Sequence, residues 1–306
     1  MSLIEQAANR LEQLRKAGVD IPEDVVAAAK AAPAVTASVR AGSPAAVAES
    51  PAKRVVIDFD AIGAAGFITP HAPRSQIADE YRVIKRPLID NAMGKGAAPV
   101  ANGNLIMVTS AVPGEGKTFT AINLAMSIAM ELDTTVMLVD ADVAKPSMLN
   151  VLGLSPGPGL LDILSQDSLD LSGMLLKTNV EKLSLLPAGT QHPRATELLA
   201  SDSMTRLLAD MAKRYDDRII IFDSPPLLVT TEARELAAHM GQIVMVTRAE
   251  HTLHGQVKQA LAAIEACPVK MMVLNRVSID PMGSFGYGYG YGYGYGYAQE
   301  KRASGH

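Results

Sequence analysis

Six short, almost uninterrupted apolar runs constrain this chain more than anything else in it. They are Leu105–Val108, Val136–Val139, Leu183–Leu186, Ile219–Phe222, Ile243–Val246 and Met271–Leu274. A strand wetted on one face alternates polar and apolar residues, whereas a strand covered on both faces reads as a continuous apolar run. Longer segments of helical periodicity separate the runs, among them residues 118–130, 200–215 and 253–266. Alternation of this kind predicts an α/β fold, a doubly wound and mostly parallel sheet with helices on both faces.

The rest of the chain is organised around that block. Leu3, Ile4, Ala7, Leu11 and Leu14 recur at helical spacing, which predicts an amphipathic helix within residues 1–22. Residues 23–73 are rich in Ala and Pro and read as a linker. The α/β domain is expected over 74–280, entered through a helix near 75–92, and residues 281–306 form a Gly/Tyr tail. A net charge of -4 and a pI near 5.9 supply no electrostatic reason to bind nucleic acid. No apolar run reaches the ~18–20 residues that span a bilayer, and the first residues do not resemble a secretory signal. With Cys267 as the single cysteine, the expectation is a cytoplasmic protein, brought to the inner face of the plasma membrane by a partner.

Chemistry concentrates at the ends of the apolar runs. After the first comes Ser110-Ala111-Val112-Pro113-Gly114-Glu115-Gly116-Lys117-Thr118, followed by Phe119 and a helical pattern. This is the P-loop pattern with Ala111 in place of the first Gly. Small residues let successive backbone N–H groups point at phosphates, with the positive end of a helix dipole behind them. Lys117 is then placed for the β- and γ-phosphates and the Thr118 hydroxyl for Mg²⁺. Two further runs end in acid, at Asp140-Ala141-Asp142 and at Asp223-Ser224-Pro225-Pro226. In an open parallel sheet, ligands bind beyond the carboxyl ends of the strands. Asp140, Asp142 and Asp223 should therefore meet the P-loop at one edge, in a P-loop NTPase-type site for Mg²⁺ and ATP.

These three motifs together resemble the bacterial tyrosine kinases that accompany capsule and exopolysaccharide synthesis. Further stretches agree, including Pro158–Leu164, Leu186–Thr190, Glu197–Ser201 and the last run, Val273-Leu274-Asn275-Arg276. The N-terminal Ser2–Ala7 segment and linker resemble the subgroup tied to exosortase (PEP-CTERM) loci. The resemblance implies Asp140 as the proton acceptor, Asp142 and Asp223 as metal residues, and Asn275, with Arg276 beside it, at the adenine. It also implies a homo-oligomer built through the helix carrying Asp79, Arg82 and Lys85. It implies as partners a separately encoded membrane chain-length-determinant protein as activator and a phosphotyrosine phosphatase. Two positions depart from the family pattern. Ala144 stands where an Arg is usual, with Lys145 after it, and Asp79 and Lys85 replace the Glu and second Arg of the oligomerisation motif.

The tail carries Tyr287, Tyr289, Tyr291, Tyr293, Tyr295 and Tyr297, separated by single glycines, six of the chain's eight tyrosines. A phenol with a pKa near ~10 attacks phosphorus at neutral pH only with positioning, a metal and a base to take its proton. Beside the upstream site, the cluster reads as the phosphoacceptor of an autokinase acting between copies. Two other functions share the same motifs, a partition- or site-positioning ATPase and a nucleotide-gated scaffold. The first places a lysine where this chain has Val112 and has no use for a tyrosine cluster; the second is suggested by Ala144.

Overall fold

The structure is a computed structural model and describes residues 53–72, 74–166, 169–214 and 218–278. The expected N-terminal helix, most of the linker and the tyrosine tail lie outside the described residues.

The six apolar runs all become strands, and a seventh joins them. In chain order they are β1 (Leu105–Ser110), β2 (Thr135–Asp140), β3 (Leu176–Lys177), β4 (Leu183–Leu186), β5 (Arg218–Asp223), β6 (Gln242–Arg248) and β7 (Val269–Asn275). They lie in one sheet in the order β3-β4-β2-β5-β1-β6-β7. Every neighbouring pair is parallel except β3 with β4. Around the sheet lie α1 (Phe59–Ala64), α2 (Gln76–Ala92), α3 (Lys117–Ala129), α4 (Met148–Val151), α5 (Leu160–Ser165) and α6 (Leu171–Met174). The chain continues with α7 (Ala195–Leu199), α8 (Asp202–Arg214), α9 (Glu232–Ala237) and α10 (His254–Ala263).

Strand periodicity splits the core into two layers. Leu105 and Met107 of β1 join a cluster with Met204 and Leu208 of α8 and Ala260 of α10. Ile106 and Val108 join the opposite cluster, with Tyr81 and Leu88 of α2 and Leu124 of α3. Successive side chains of a strand point to opposite faces, so both layers are paid into by every central strand. Each fully buried large side chain is worth about 1.5–3 kcal/mol.

Three expectations are corrected by the fold. Met271–Leu274 was expected to be covered on both faces, yet β7 is the sheet's edge, with Met272 47% and Leu274 60% exposed. Residues 54–68, assigned to the linker, belong to the folded unit. Ile57, Ile62 and Ile68 are buried, the Ile57 N–H donates to Asn179 Oδ1 at 2.9 Å, and the Ile68 N–H donates to Asn123 Oδ1 at 2.7 Å. Three isoleucines at short intervals bury too much apolar surface for a solvated linker. Lys85, expected at an oligomer contact, faces its own domain. It lies with Ala78, Tyr81 and Leu88 on the buried stripe of α2, 3% exposed. Its ammonium donates to the Ser127 carbonyl at 2.6 Å and pairs with Glu131 at 2.7 Å. Asp79 and Arg82 pair with each other on the exposed side of the same helix.

Candidate active site

Sheet order decides what can meet. β5 lies between β1 and β2, and Asp223 stands opposite both Val108 of β1 and Asp140 of β2. The acidic ends of β5 and β2 therefore lie beside the loop that follows β1. That loop turns through Gly114 (φ 82°) and Gly116 (φ 97°), left-handed conformations that a side chain strains. Helix α3 begins at Lys117 directly after it.

Two residues from outside, Thr252 and Asn275, hold the loop through Glu115. Glu115 is fully buried, and its carboxylate accepts the Val112 N–H at 2.7 Å and the Thr252 hydroxyl. Thr252 in turn accepts the Arg248 N–H at 2.9 Å, which links the loop to the end of β6. The Asn275 side-chain amide donates to the Glu115 carbonyl at 2.9 Å. Thus Glu115, expected among the nucleotide contacts, is an internal strut of the loop. Asn275, expected at the adenine, donates to the loop's backbone, and Arg276 beside it lines the cavity. Thr252 had no sequence signal, since its partner is 137 residues away. Thr252→Val should cost about 1–3 kcal/mol, because it strips a hydroxyl from a buried carboxylate and from a backbone N–H. Chemical denaturation of Thr252→Val against Thr252→Ser measures this; equal stability of the two would remove the hydroxyl from the account.

The cavity beside the loop holds about 460 Å³. Pro113, Gly114, Gly116, Lys117, Thr118 and Phe119 line one side, and Asp142, Ala144, Lys145, Ser147 and Pro225 the other. The Lys117 ammonium lies 2.6 Å from Asp142 Oδ2, both groups largely buried. The hydroxyls of Thr118 and Ser147 are 3.2 Å apart. Ser147 was not anticipated, although a serine just before a helical turn is a common helix-capping signal. Ala144 leaves this wall without a guanidinium, and Lys145 lines it as well.

The carboxylates are unusually dry. Asp140 is 1% exposed and Asp223 fully buried. Burial pushes the Asp223 carboxyl up to about 7, partly offset by the charge of Lys117 and by Thr118, with Asp140 and Asp142 adding to the rise. Burial likewise lifts Asp140 to about 6, against the Met148 N–H and helped by the charge of Asp142. Asp140 Oδ2 accepts from the N–H groups of Ser147 (3.2 Å) and Met148 (3.1 Å), while its Oδ1 and both oxygens of Asp223 have no hydrogen-bond partner. Buried carboxylate oxygens without partners are costly unless a cation or its waters complete them. Among the described residues no group of three or more His, Cys, Asp or Glu could hold a metal alone. The donor set suits Mg²⁺, which takes one or two carboxylates, keeps waters and shares the substrate's phosphates.

The family model described as AAA domain matches residues 103–272. The tyrosine-protein kinase YwqD of Bacillus subtilis is 30% identical over 221 residues, 70% of this chain and 87% of that protein. The crystal structure of the chimerical protein CapA2B2 aligns with a TM-score of 0.59 at 27% identity, over 74% of this chain and 94% of that one. The kinase domain of the Escherichia coli tyrosine kinase ETK aligns with a TM-score of 0.53 at 29% identity, over 62% of this chain and 73% of that one. The chain spans only 24% of the length of some other curated tyrosine-protein kinases that it matches. With the P-loop, the two acidic strand ends and these likenesses in one chain, it belongs to the bacterial tyrosine-protein kinase family.

Proposed function

We propose that the chain is an ATP-dependent protein-tyrosine autokinase that phosphorylates its own tyrosine cluster, Tyr287–Tyr297, from one copy to another. The observation that carries this reading is the meeting of Lys117 with Asp142, Asp223 and Asp140 at one strand edge, beside a P-loop cavity. Lys117 is placed to leave Asp142 for the phosphates of ATP, where its charge opposes the negative charge that builds during transfer. Mg²⁺, held by Thr118, Asp142 and Asp223, would supply further charge neutralisation. Asp140, whose Oδ2 is fixed by two backbone N–H groups, accepts the phenolic proton through its other oxygen. Phosphoryl transfer is then a matter of positioning and electrostatics, and these residues do both.

The tail suits the role. Glycine between successive tyrosines leaves each phenol sterically free. Residues 281–297 can reach on the order of 55 Å when extended. Each phosphate adds about -1.5 to -2 charges, so a fully modified cluster repels its counterpart on another copy. Unmodified copies would associate and modified copies separate. The family resemblance adds exopolysaccharide polymerisation or export as the regulated process. It also supplies a membrane chain-length-determinant protein as activator and a phosphotyrosine phosphatase as antagonist. Among the described residues no helix is long and apolar enough to cross a membrane, so recruitment to the inner membrane face is assigned to that activator. The PEP-CTERM subgroup belongs to the same proposal.

Incubating the purified chain with Mg-ATP and mapping the modified peptides tests the reading. Phosphotyrosine is expected within 287–297, and replacing all six tyrosines by phenylalanine should remove nearly all of it. Phosphate found only on Ser or Thr, or missing from that peptide, would overturn the proposal.

A further inference from the structure

A second cavity opens on the other side of Asp140 from the P-loop. It holds about 150 Å³, and Leu149, Leu154, Pro156, Gly157 and Pro187 line it together with Asp140. Its place follows from the sheet. From β1, which carries the P-loop, the order runs through β5 with Asp223 and β2 with Asp140 to β4, whose end leads into Pro187. Neighbouring strands are about 4.8 Å apart, so the cavity begins one strand beyond the acidic pair, on the side away from Asn275 and Arg276.

The cavity is a built feature of the fold. Its wall joins the loop before α5 to the loop after β4. The Leu160 and Leu161 N–H groups donate to the carbonyls of Pro187 and Ala188 at 2.8 and 2.9 Å. Asp162 Oδ2 accepts the Gly159 and Thr190 N–H groups at 2.8 and 2.9 Å. The two loops are so close that a Cβ at Gly159 would lie 2.0 Å from the Pro187 carbonyl oxygen. Asp140, which also lines the cavity, keeps one buried oxygen without a partner. Exposed Asn150 and Pro156 also line the cavity, which puts its mouth at the surface.

From this arrangement we infer that the cavity is the seat of the acceptor side chain and selects an aromatic ring ending in a hydroxyl. The inference rests on the kinase reading above. An apolar cavity of about 150 Å³ accommodates a benzene-sized ring. The prolines and leucines bury the ring, and the hydroxyl meets Asp140, the buried polar group of the wall, while Asn150 stands at the exposed mouth. A serine or threonine placed here would leave the apolar walls empty and hold its oxygen short of the carboxylate. In the step that follows, the phenol oxygen bonds to the γ-phosphorus of ATP. The bond from that phosphorus to the β,γ-bridging oxygen breaks, ADP leaves, and the phenolic proton passes to Asp140. The products are phosphotyrosine and ADP, and no other reactant is required.

Gly157 makes the inference testable without damage to the fold. Its φ is not in the left-handed range, and a Cβ built on it meets nothing within 4 Å. In the full-length chain, the series Gly157→Ala, Leu and Phe should fill the cavity progressively. Tail phosphotyrosine is expected to fall with side-chain size, by at least about tenfold for Phe, while affinity for a fluorescent ATP analogue stays within about twofold. A Gly/Phe repeat peptide, which cannot accept phosphate, should bind the unsubstituted chain and lose affinity across the same series. Equal tail phosphorylation and equal peptide binding in all variants would overturn the cavity's role and leave the kinase reading intact. Absence of phosphotyrosine from the unsubstituted chain would overturn both.

Discussion

Lys117→Met is expected to lower tail phosphotyrosine by on the order of 10²–10³-fold, the usual cost of losing one group aimed at transition-state charge. Two effects combine in this variant. It removes the cation intended for the phosphates, and it strands Asp142, whose carboxylate lies 2.6 Å from the ammonium and is only 7% exposed. Breaking a buried ion pair from one side costs about 3–5 kcal/mol, so a thermal melt must accompany the activity measurement. Asp142→Asn in the same background separates the two, because it neutralises the stranded charge without restoring the cation. If the double variant regains stability, the stranded Asp142 charge accounts for the melt of Lys117→Met. The lysine's chemical role is read from Lys117→Met samples that the melt shows to be folded, since Asp142 also serves the metal. Mixing then settles direction: a Lys117→Met chain incubated with differently tagged active chain should acquire phosphate on its own tail. A tail that stays unmodified in the mixture, with the active partner fully labelled, would show that transfer stays within one copy.

Asp223→Asn should abolish activity and, without nucleotide or metal, make the protein more stable at pH 8. The sign follows from linkage. The folded-state pKa of Asp223 is about 7, against an ordinary value of 3.8. Between these values the folded protein keeps a proton that the unfolded chain has released. Stability therefore falls as pH rises through that window. Asp140, lifted to about 6, adds to the fall in the same direction. A difference of about three pH units is worth at most about 4 kcal/mol. Asparagine carries no charge to desolvate, so its stability curve in EDTA should be flatter between pH 4 and 8 than that of the aspartate form. Urea denaturation at both pH values measures this. An asparagine variant no more stable than the parent at pH 8 would mean that the buried carboxylate is not strained. Mg-ATP should narrow the gap by stabilising only the aspartate form.

Much of this architecture was written in local pattern. Five of the apolar runs mark strands because strands covered on both faces need no polar alternation, and the P-loop glycines mark the turn that joins β1 to α3. Other features depend on tertiary partners and left no local trace. β3 has only two residues, too few for periodicity. The burial of Lys85 shows only when positions 78, 81, 85 and 88 are seen to share one face of α2, with Glu131 waiting across it. The edge position of β7 depends on sheet order rather than on its own composition. At the site, the acids and the lysine were legible because their spacing repeats a known chemistry. Thr252 was not, because its contact with Glu115 joins distant parts of the chain, and the cavity beside Asp140 emerges only when two loops are brought together.

The struts beneath the P-loop have a thermodynamic consequence. Because Val112, Thr252 and Asn275 already fasten Glu115, the cradle takes its shape when the chain folds rather than when ligand arrives. Ordering entropy has thus been spent before encounter, and nucleotide capture should resemble docking to a rigid mould, with little change in amide hydrogen exchange across residues 112–116.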